Sequence, residues 1–251
     1  MSEFYTFIFK RKQRFRYLFI LIISVTFGLF IYYGSTYLFN LKAEQTALIK
    51  GSSDEKHISF TFNISWGEEK VYEILDVLKK HEVRATFFVS GEWAERHPQI
   101  LEDITKQEHE LGMLGYRYKN YLDQEIEQVR KDMIYARNLF EKLGYKQIRY
   151  IRPPSGLFNE EVITLANSLG LEVVHWSIAT TDWENPGVET IVTEAKKGSN
   201  GDILLFHASD VAKQTAEALD PIINDYKKRK FTFVTVSELK DGVTTDESIV
   251  E

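Results

Sequence analysis

The 251-residue chain contains no cysteine, and this absence excludes disulfide bonds, thiolate metal ligands and a cysteine nucleophile. The chain also has no excess of basic residues, since it contains 31 Lys and Arg residues and 37 Asp and Glu residues. Nucleic-acid-binding proteins need a positively charged footprint, so the net charge of −6 argues against a nucleic-acid partner. Hydrophobic residues make up 43% of the chain, which excludes a wholly disordered protein and is enough for one large domain or two small ones.

Charge is unevenly distributed at the N-terminus. Residues 1–16 hold five basic residues against Glu3 alone and form a basic cytoplasmic stub, while residues 17–41 hold no charged side chain. A helix of about 20 apolar residues can cross a bilayer, and preceding basic residues stay on the cytoplasmic side. The sequence therefore predicts a single-pass signal anchor at 17–41, with the remaining chain outside the cytoplasm. A cleaved signal peptide is the alternative, but no small-residue cleavage pattern follows the apolar run.

The chain beyond the anchor reads as a polar linker (42–56), one domain (57–240) and a loose acidic tail (241–251). Within the domain, short β-branched or aromatic runs alternate with helical patterns, which is typical of parallel β-α units in a doubly wound sheet or a barrel. The predicted strands are 57–64, 85–90, 109–114, 147–152, 171–178, 202–208 and 231–236. The predicted helices lie near 68–82, 95–107, 123–143, 159–169, 186–197 and 210–229.

Polar and aromatic residues follow five of the predicted strands. Active sites of β-α folds gather at the carboxyl ends of the strands, so these segments are expected to share one rim. The segments are 63–67, 112–120, 152–156, 181–183 and 207–210.

Longer motifs in the same regions resemble the polysaccharide deacetylase family, the NodB-homology carbohydrate esterases, over residues 57–240. Within it, the chain resembles the membrane-anchored, sporulation-associated PdaB-type branch. The resemblance implies a distorted (β/α) barrel of about seven parallel strands. It also implies N-deacetylation of an amino-sugar glycan in cell-wall or spore peptidoglycan, at the outer face of the cell membrane or in the forespore envelope. The motifs are SWGEE (65–69), WAERHP (93–98), GYRYKNY (115–121), RPPSGLFN (152–159), DWENPG (182–187) and HASDVAKQTAEAL (207–219).

The resemblance also assigns roles to residues that match the family pattern. Arg152 stands where the family arginine orients the catalytic aspartate, and Asp182 where an aspartate tunes the catalytic histidine. His207 matches the general acid, and Trp183 matches the tryptophan that lines the acetyl pocket. Aromatic side chains at strand ends can stack on sugar rings, and the candidate substrate-binding residues are Trp183, Trp66 and Tyr116.

Four family positions hold residues that cannot perform the family chemistry. The family's general base is replaced by Asn63, and its three metal ligands by Ile64, Leu114 and Tyr118. The family norm is zinc or another divalent metal, but hydrocarbons cannot bind zinc and a neutral phenol is a poor ligand. No metal or other cofactor is therefore expected. Leu114 and Tyr118 are expected to fill the space that the metal site would occupy.

Several functions remain open at this point. The domain is a peptidoglycan deacetylase, or it is a catalytically inactive glycan-binding or scaffolding protein, with His207 and Asp182 as a buried structural pair. A third route would use a metal held by His207 and Asp210, or a water positioned by Arg152 and Asp182. No pattern in the sequence predicts a protein partner or an oligomeric state.

Overall fold

The computed structural model describes residues 23–30, 46–52 and 54–241. The chain divides into two units, Met1–Thr46 and Ala47–Glu251, and residues 23–30 of the first are helical. Most of the predicted anchor and nearly all of the acidic tail lie outside the described residues. Within the described ranges, no helix is long and apolar enough to cross a membrane. The anchor therefore stays a prediction.

Parallel strands alternate with helices through the larger unit. The strands are β1 (His57–Ile64), β2 (Thr86–Val89), β3 (Glu110–Met113), β4 (Tyr150–Ile151), β5 (Glu172–Val173), β6 (Ile178–Ala179), β7 (Ile203–His207) and β8 (Thr232–Phe233). The helices are α1 (Lys70–Lys80), α2 (Gly91–Arg96), α3 (Pro98–Lys106), α4 (Ile126–Lys142), α5 (Glu160–Ser168), α6 (Val188–Ala195), α7 (Thr215–Lys228) and α8 (Val236–Asp241). Short 3-10 turns lie at Tyr121–Asp123, Pro154–Gly156 and Asp182–Glu184.

The strands form one parallel sheet in the order β5-β4-β3-β2-β1-β7-β6, with β8 added beside the start of β1. Seven of them curl into a half-barrel, and helices follow most of the strands. The predicted parallel α/β barrel-like fold is confirmed at this level. Because all strands run the same way, their carboxyl ends meet at one rim.

Three local predictions differ from the structure. The strand predicted at 171–178 is two short strands, because the side chain of Arg152 hydrogen-bonds the carbonyl oxygens of Val174 and His175 between them. The helix predicted at 95–107 is broken into α2 and α3, with Pro98 at the first position of the second. Helix α8 begins where the last strand was expected to end, and no helix was expected there.

Alternation along β1 separates two hydrophobic regions. Successive side chains of a strand point to opposite faces. Phe62 and Ile64 are fully buried in the main core between sheet and helices, whereas Asn63 belongs to the opposite, inner face of the curled sheet. A second cluster of buried residues includes Phe88 and Leu114. This alternation decides which residues of the first motif can reach the cleft.

Part of the predicted linker is built into the domain. Leu48 forms a parallel bridge with Val174 beyond β5, and Lys50 pairs with Asp202 just before β7. The Lys50 Nζ lies 2.8 Å from the Asp202 carboxylate, which is nearly buried. The segment 48–50 therefore pairs with residues next to two different strands, β5 and β7. The folded region begins before residue 57.

His109 lies just before β3 and is 6% exposed. Its Nδ1 accepts a hydrogen bond from the backbone N–H of Ala85 at 3.2 Å. Because Ala85 directly precedes β2, this bond links the starts of β2 and β3. Burial lowers the pKa of His109 to about 4, with a further contribution from the positive charge of Arg84. The folded protein therefore keeps this imidazole neutral.

We expect the stability of the domain to fall as the pH is lowered from about 6.5 to about 4, because the unfolded chain protonates His109 first. The contribution of this residue is at most about 3 kcal/mol. Urea unfolding of the natural chain and of His109→Gln at pH 7 and pH 4.5 checks this. The glutamine can still accept the Ala85 N–H, and the variant should lose less stability on acidification. Equal losses would contradict the prediction.

Candidate functional site

Asp182 and His207 form a hydrogen-bonded pair at the rim. Asp182 begins a 3-10 turn after β6, and His207 is the last residue of β7. The carboxylate of Asp182 is fully buried and accepts three bonds: from His207 Nδ1 at 2.8 Å, from the His207 backbone N–H at 2.7 Å, and from Thr215 Oγ1 at 2.7 Å. Because Nδ1 is engaged, Nε2 is the imidazole nitrogen left for a ligand.

The loop that carries Asp182 also places Trp183 beside the imidazole. The ring centres of Trp183 and His207 are 5.0 Å apart, and Trp183 is 37% exposed. Asn185 ties this loop to the one after β7, since its amide donates to Val211 O at 2.9 Å and accepts from Lys213 N at 2.8 Å. The sequence-predicted group of Asp182, His207 and Trp183 is thus brought together.

Arg152 is completely buried and is bonded to Asn63, the register neighbour of His207. Its Nη1 donates to Asn63 Oδ1 at 2.9 Å, its Nη2 to His175 O at 2.8 Å and its Nε to Val174 O at 3.3 Å. The guanidinium also lies 4.0 Å from the ring centre of Phe88. Burial lowers the pKa of Arg152 to about 9, so the group remains a cation at neutral pH. Among the described residues no carboxylate is bonded to it, and its side-chain partner is the neutral amide of Asn63.

The two pairs are neighbours. Asn63 on β1 and His207 on β7 are partners in the parallel register, and Asn63 O accepts the N–H of Ala208 at 2.9 Å. The carboxyl ends of β1 and β7 therefore hold two neighbouring pairs. One is the buried Arg152 cation with the Asn63 amide, and the other is His207 with the buried Asp182 carboxylate.

The residues at the family's metal positions do not fit a divalent cation. Ile64 is fully buried in the main core, and Leu114 is fully buried with Phe88 in the inner cluster. Tyr118 is 45% exposed and interacts electrostatically with Arg152, and the expectation that Leu114 and Tyr118 fill the vacated space stays a prediction. No group of three His, Asp or Glu side chains in the described ranges could hold a metal ion. Hydrocarbon side chains offer no ligand atoms.

Asp210 is committed to helix α1. Its carboxylate accepts the backbone N–H groups of residues 68, 69 and 70 at 3.0, 3.0 and 2.9 Å, which satisfies the free donors at the start of that helix. Gly67 has φ of +81°, and a Cβ there would lie 2.1 Å from Asp210 Cγ. Both carboxylate oxygens are therefore occupied, which argues against the alternative route with a metal held by His207 and Asp210.

The other two predicted sugar-contacting residues lie in the loops that follow β1 and β3. Trp66 follows β1 and is 63% exposed. Tyr116 is held against α2 and α4, because its hydroxyl donates to Glu95 at 2.9 Å and its ring packs on Tyr135 with centres 4.4 Å apart. Burial and the Glu95 carboxylate raise the pKa of Tyr116 to about 12. These contacts hold Tyr116 beside the helices, and its sugar-binding role stays a prediction.

Several residues that contact the site are not indicated by any pattern in the sequence. Thr215 and Asn185 lie inside recognised motifs, but nothing in their spacing indicated their hydrogen bonds. Phe88 and Trp176 flank the Arg152 guanidinium at 4.0 and 5.4 Å. No local signal could have found these two aromatic residues, because their contact depends on strand pairing across the sheet.

Comparison with known proteins matches this arrangement to a family. Residues 50–174 match the family described as polysaccharide deacetylase. A peptidoglycan-N-acetylglucosamine deacetylase of Bacillus cereus is 34% identical over 191 residues, covering 74% of this chain and 89% of that protein. This chain belongs to the polysaccharide deacetylase family.

Two further similar proteins differ from this chain in length. YlxY of Bacillus subtilis is 30% identical over 208 residues, and the match spans 82% of this chain but only 64% of that protein. The crystal structure of a Bacillus anthracis protein described as a CE4 family pseudoenzyme has a TM-score of 0.73 at 28% identity, covering 78% of this chain and 69% of that chain. A mutant of the same protein is described as having restored enzymatic activity.

Proposed function

We propose that this polysaccharide deacetylase-family domain binds an N-acetylated amino-sugar glycan of peptidoglycan at the strand-end rim without deacetylating it. The observation that carries the proposal is the placement of Ile64 and Leu114, two of the family's metal positions, in fully buried apolar clusters. Further support comes from the rim, where Asp182 orients His207 and Trp183 packs beside the imidazole.

The chemistry of amide hydrolysis supports the inactive form. The reaction needs an activated water, and a bound metal lowers the pKa of water from 15.7 to about 7. Asn63 cannot accept a proton at neutral pH, so the contribution of a general base, roughly a hundredfold or more, is also missing. His207 could supply a proton to a leaving amine, but the residues around it offer nothing to activate the attacking water.

Exposed apolar side chains are concentrated on the rim. Among the described residues from 46 to 241, nine large hydrophobic side chains are exposed to solvent, and six of them follow the carboxyl ends of strands. Such clustering marks interaction sites, and aromatic rings among these residues suit the apolar faces of sugars. The six are Trp66, Tyr118, Leu122, Leu157, Trp183 and Val211.

Replacing Trp183 by alanine tests the binding proposal. We expect N-acetylated peptidoglycan fragments to bind the variant about tenfold more weakly or worse, a loss of at least about 1.4 kcal/mol, because the exposed indole beside His207 is removed. Isothermal titration calorimetry on the full chain measures this. Tyr72→Ala is the matched control, since Tyr72 is similarly exposed but lies on α1. Unchanged affinity in Trp183→Ala would remove this residue from the cleft.

A deacetylase working by a different route is the second candidate, favoured by the intact hydrogen bond between His207 and Asp182. Acetate release from the same fragments, measured with and without zinc, distinguishes the two. Sustained release by the natural chain would replace the binding proposal with an enzymatic one. The PdaB-type branch and a role in sporulation remain predictions from the sequence.

We also propose that the domain works outside the cytoplasm, tethered by the apolar segment 17–41. The support is the charge pattern of the first 41 residues, five basic residues before a run with none. Protease treatment of intact cells should digest the domain, and protection of the domain until the membrane is opened would contradict this placement.

A further inference from the structure

A cavity of about 640 Å³ opens at the end of the sheet opposite to the strand-end rim. Its walls come from the start of β3, the turn that leads into β4, and helix α8, and it is called the α8 cavity below. Leu111, Tyr145 and Ile148 give it an apolar floor, and Lys146 and Arg149 line it as well. Pockets of about 300–1,000 Å³ accommodate drug-sized ligands, so the α8 cavity can take up several side chains.

The charges that line the α8 cavity are unbalanced. Its one carboxylate, that of Glu110, already accepts hydrogen bonds from Thr86 Oγ1 at 2.8 Å and from both the backbone N–H and the hydroxyl of Ser237. Lys146 and Arg149 are exposed, and neither side chain has a hydrogen bond or an ion pair in the described part of the chain. The α8 cavity therefore combines an apolar floor with two cations that have no carboxylate partner there.

Helix α8 brings the end of the described domain to this cavity. Ser237, in its first turn, lines the cavity, and the next residue, Glu238, pairs with Arg84 at 2.6 Å. The helix ends at Asp241, four residues beyond Ser237, which corresponds to about 6 Å along a helix axis. Chain that continues from Asp241 therefore starts close to the cavity.

The ten residues after α8, 242–251 (GVTTDESIVE), match the cavity in composition. They contain an acidic pair, Asp246 and Glu247, followed by an aliphatic pair, Ile249 and Val250, and no basic residue. Ten residues span at most about 35 Å, so the two pairs can reach the α8 cavity from the end of α8.

A neighbouring cavity of about 700 Å³, between α1 and α3, does not suit an acidic segment. Two of its three basic residues already have partners, since Arg84 pairs with Glu238 at 2.6 Å and Lys106 with Glu102 at 2.7 Å. Like charges repel, so its four acidic residues would oppose the tail. They are Asp76, Glu82, Asp103 and Glu108.

We propose that the tail 242–251 docks in the α8 cavity of its own chain, with the aliphatic pair on the apolar floor and the acidic pair beside Lys146 and Arg149. Burial of the aliphatic side chains supplies the attraction, and the opposite charges fix the orientation. The proposal concerns the end of the sheet opposite to the rim, and it does not depend on glycan binding.

Disulfide cross-linking tests the docking, because the natural chain contains no cysteine that could interfere. The full chain with Gln147→Cys, at the cavity, and Ser248→Cys, between the two pairs of the tail, is oxidised at low protein concentration. A disulfide requires Cα atoms within about 7 Å. We expect intramolecular cross-linking at least about tenfold faster than with Lys79→Cys and Ser248→Cys, since Lys79 lines the neighbouring cavity. Equal rates, a faster control or cross-links between two molecules would overturn the proposal.

Charge reversal in the Gln147→Cys/Ser248→Cys chain tests the orientation. At low salt, Lys146→Glu with Arg149→Glu should slow cross-linking at least about tenfold, because the cavity then repels the acidic pair. Adding lysines in place of the acidic pair of the tail brings opposite charges together again, and the rate should return to within about threefold of its starting value.

Lys131→Glu with Lys142→Glu is the matched control for charge reversal. Both lysines are exposed on α4 and lie outside the lining of the α8 cavity, so the cross-linking rate should not change. The melting temperature of each variant shows that the domain is folded. An unchanged rate after reversal at the cavity, or no recovery after reversal in the tail, would overturn the proposal.

Discussion

Replacing Asp182 by alanine is expected to lower the free energy of unfolding by about 3–5 kcal/mol, the largest effect of any single change at the rim. The substitution leaves three donors without their acceptor: the Nδ1 and backbone N–H of His207 and the hydroxyl of Thr215. All three are held at 2.7 to 2.8 Å around a carboxylate with no solvent exposure. Each unsatisfied buried donor costs roughly 1–3 kcal/mol, and the cavity adds to the loss.

Chemical denaturation of the full chain measures this effect. Thr215→Val is the matched control, because it removes one of the three hydrogen bonds and should cost only about 1 kcal/mol. Glycan binding should weaken in Asp182→Ala as well, since Trp183 and Asn185 belong to the same loop. A loss below about 1 kcal/mol would mean that Asp182 is not the anchor of this rim.

Restoring the four missing family residues is expected to create a zinc-dependent deacetylase. The combined variant carries Asn63→Asp, Ile64→Asp, Leu114→His and Tyr118→His. Ile64 packs in the main core, but it is the last residue of β1, so we expect an aspartate there to turn towards the rim at the strand end. Acetate release from N-acetylated peptidoglycan fragments should exceed that of the natural chain by at least about a hundredfold, because both the base and the metal-activated water are supplied. The positioned His207 and Trp183 are already present. The Bacillus anthracis pseudoenzyme has a mutant described as restored in activity, which is the precedent for this design.

The same variant should depend on zinc for its stability. Without metal, the carboxylate at position 64 and the imidazole at position 114 replace fully buried hydrocarbons, which lowers the free energy of unfolding. Zinc binds the folded form and should recover part of that loss. Adding His207→Ala to the combined variant should abolish acetate release, and the natural chain should hold less than one zinc ion per chain. Equal acetate release by the natural chain and the combined variant would contradict the assignment of the missing base and metal ligands to these four positions.

Strand β1 illustrates how far local pattern predicts the fold. Its predicted bounds, 57–64, coincide with the observed strand, because an eight-residue run rich in β-branched and aromatic residues is buried along its length. The single strand predicted at 171–178 fails for a non-local reason. Arg152, about 20 residues earlier in the chain, takes the carbonyl groups that would have continued the strand.

The candidate site shows the same division. Motif resemblance identified His207, Asp182 and Trp183, and the structure brings them together. The motif resemblance did not indicate that the Tyr116 hydroxyl donates to Glu95 on α2, because that contact depends on how a loop packs against a helix. Nor did it indicate that Asp210 closes the start of α1, since capping requires two distant loops to meet.

The sequence by itself determined which chemical groups this protein possesses. It has no thiol, an amide at the base position, and hydrocarbons at two of three metal positions. Only the tertiary structure decided what these groups do. Strand alternation directs Asn63 inward and Ile64 into the main core, and the pairing of β1 with β7 sets Asn63 beside His207. Side-chain chemistry is a local property, whereas partners and charge balance arise only when residues far apart in the chain share one register.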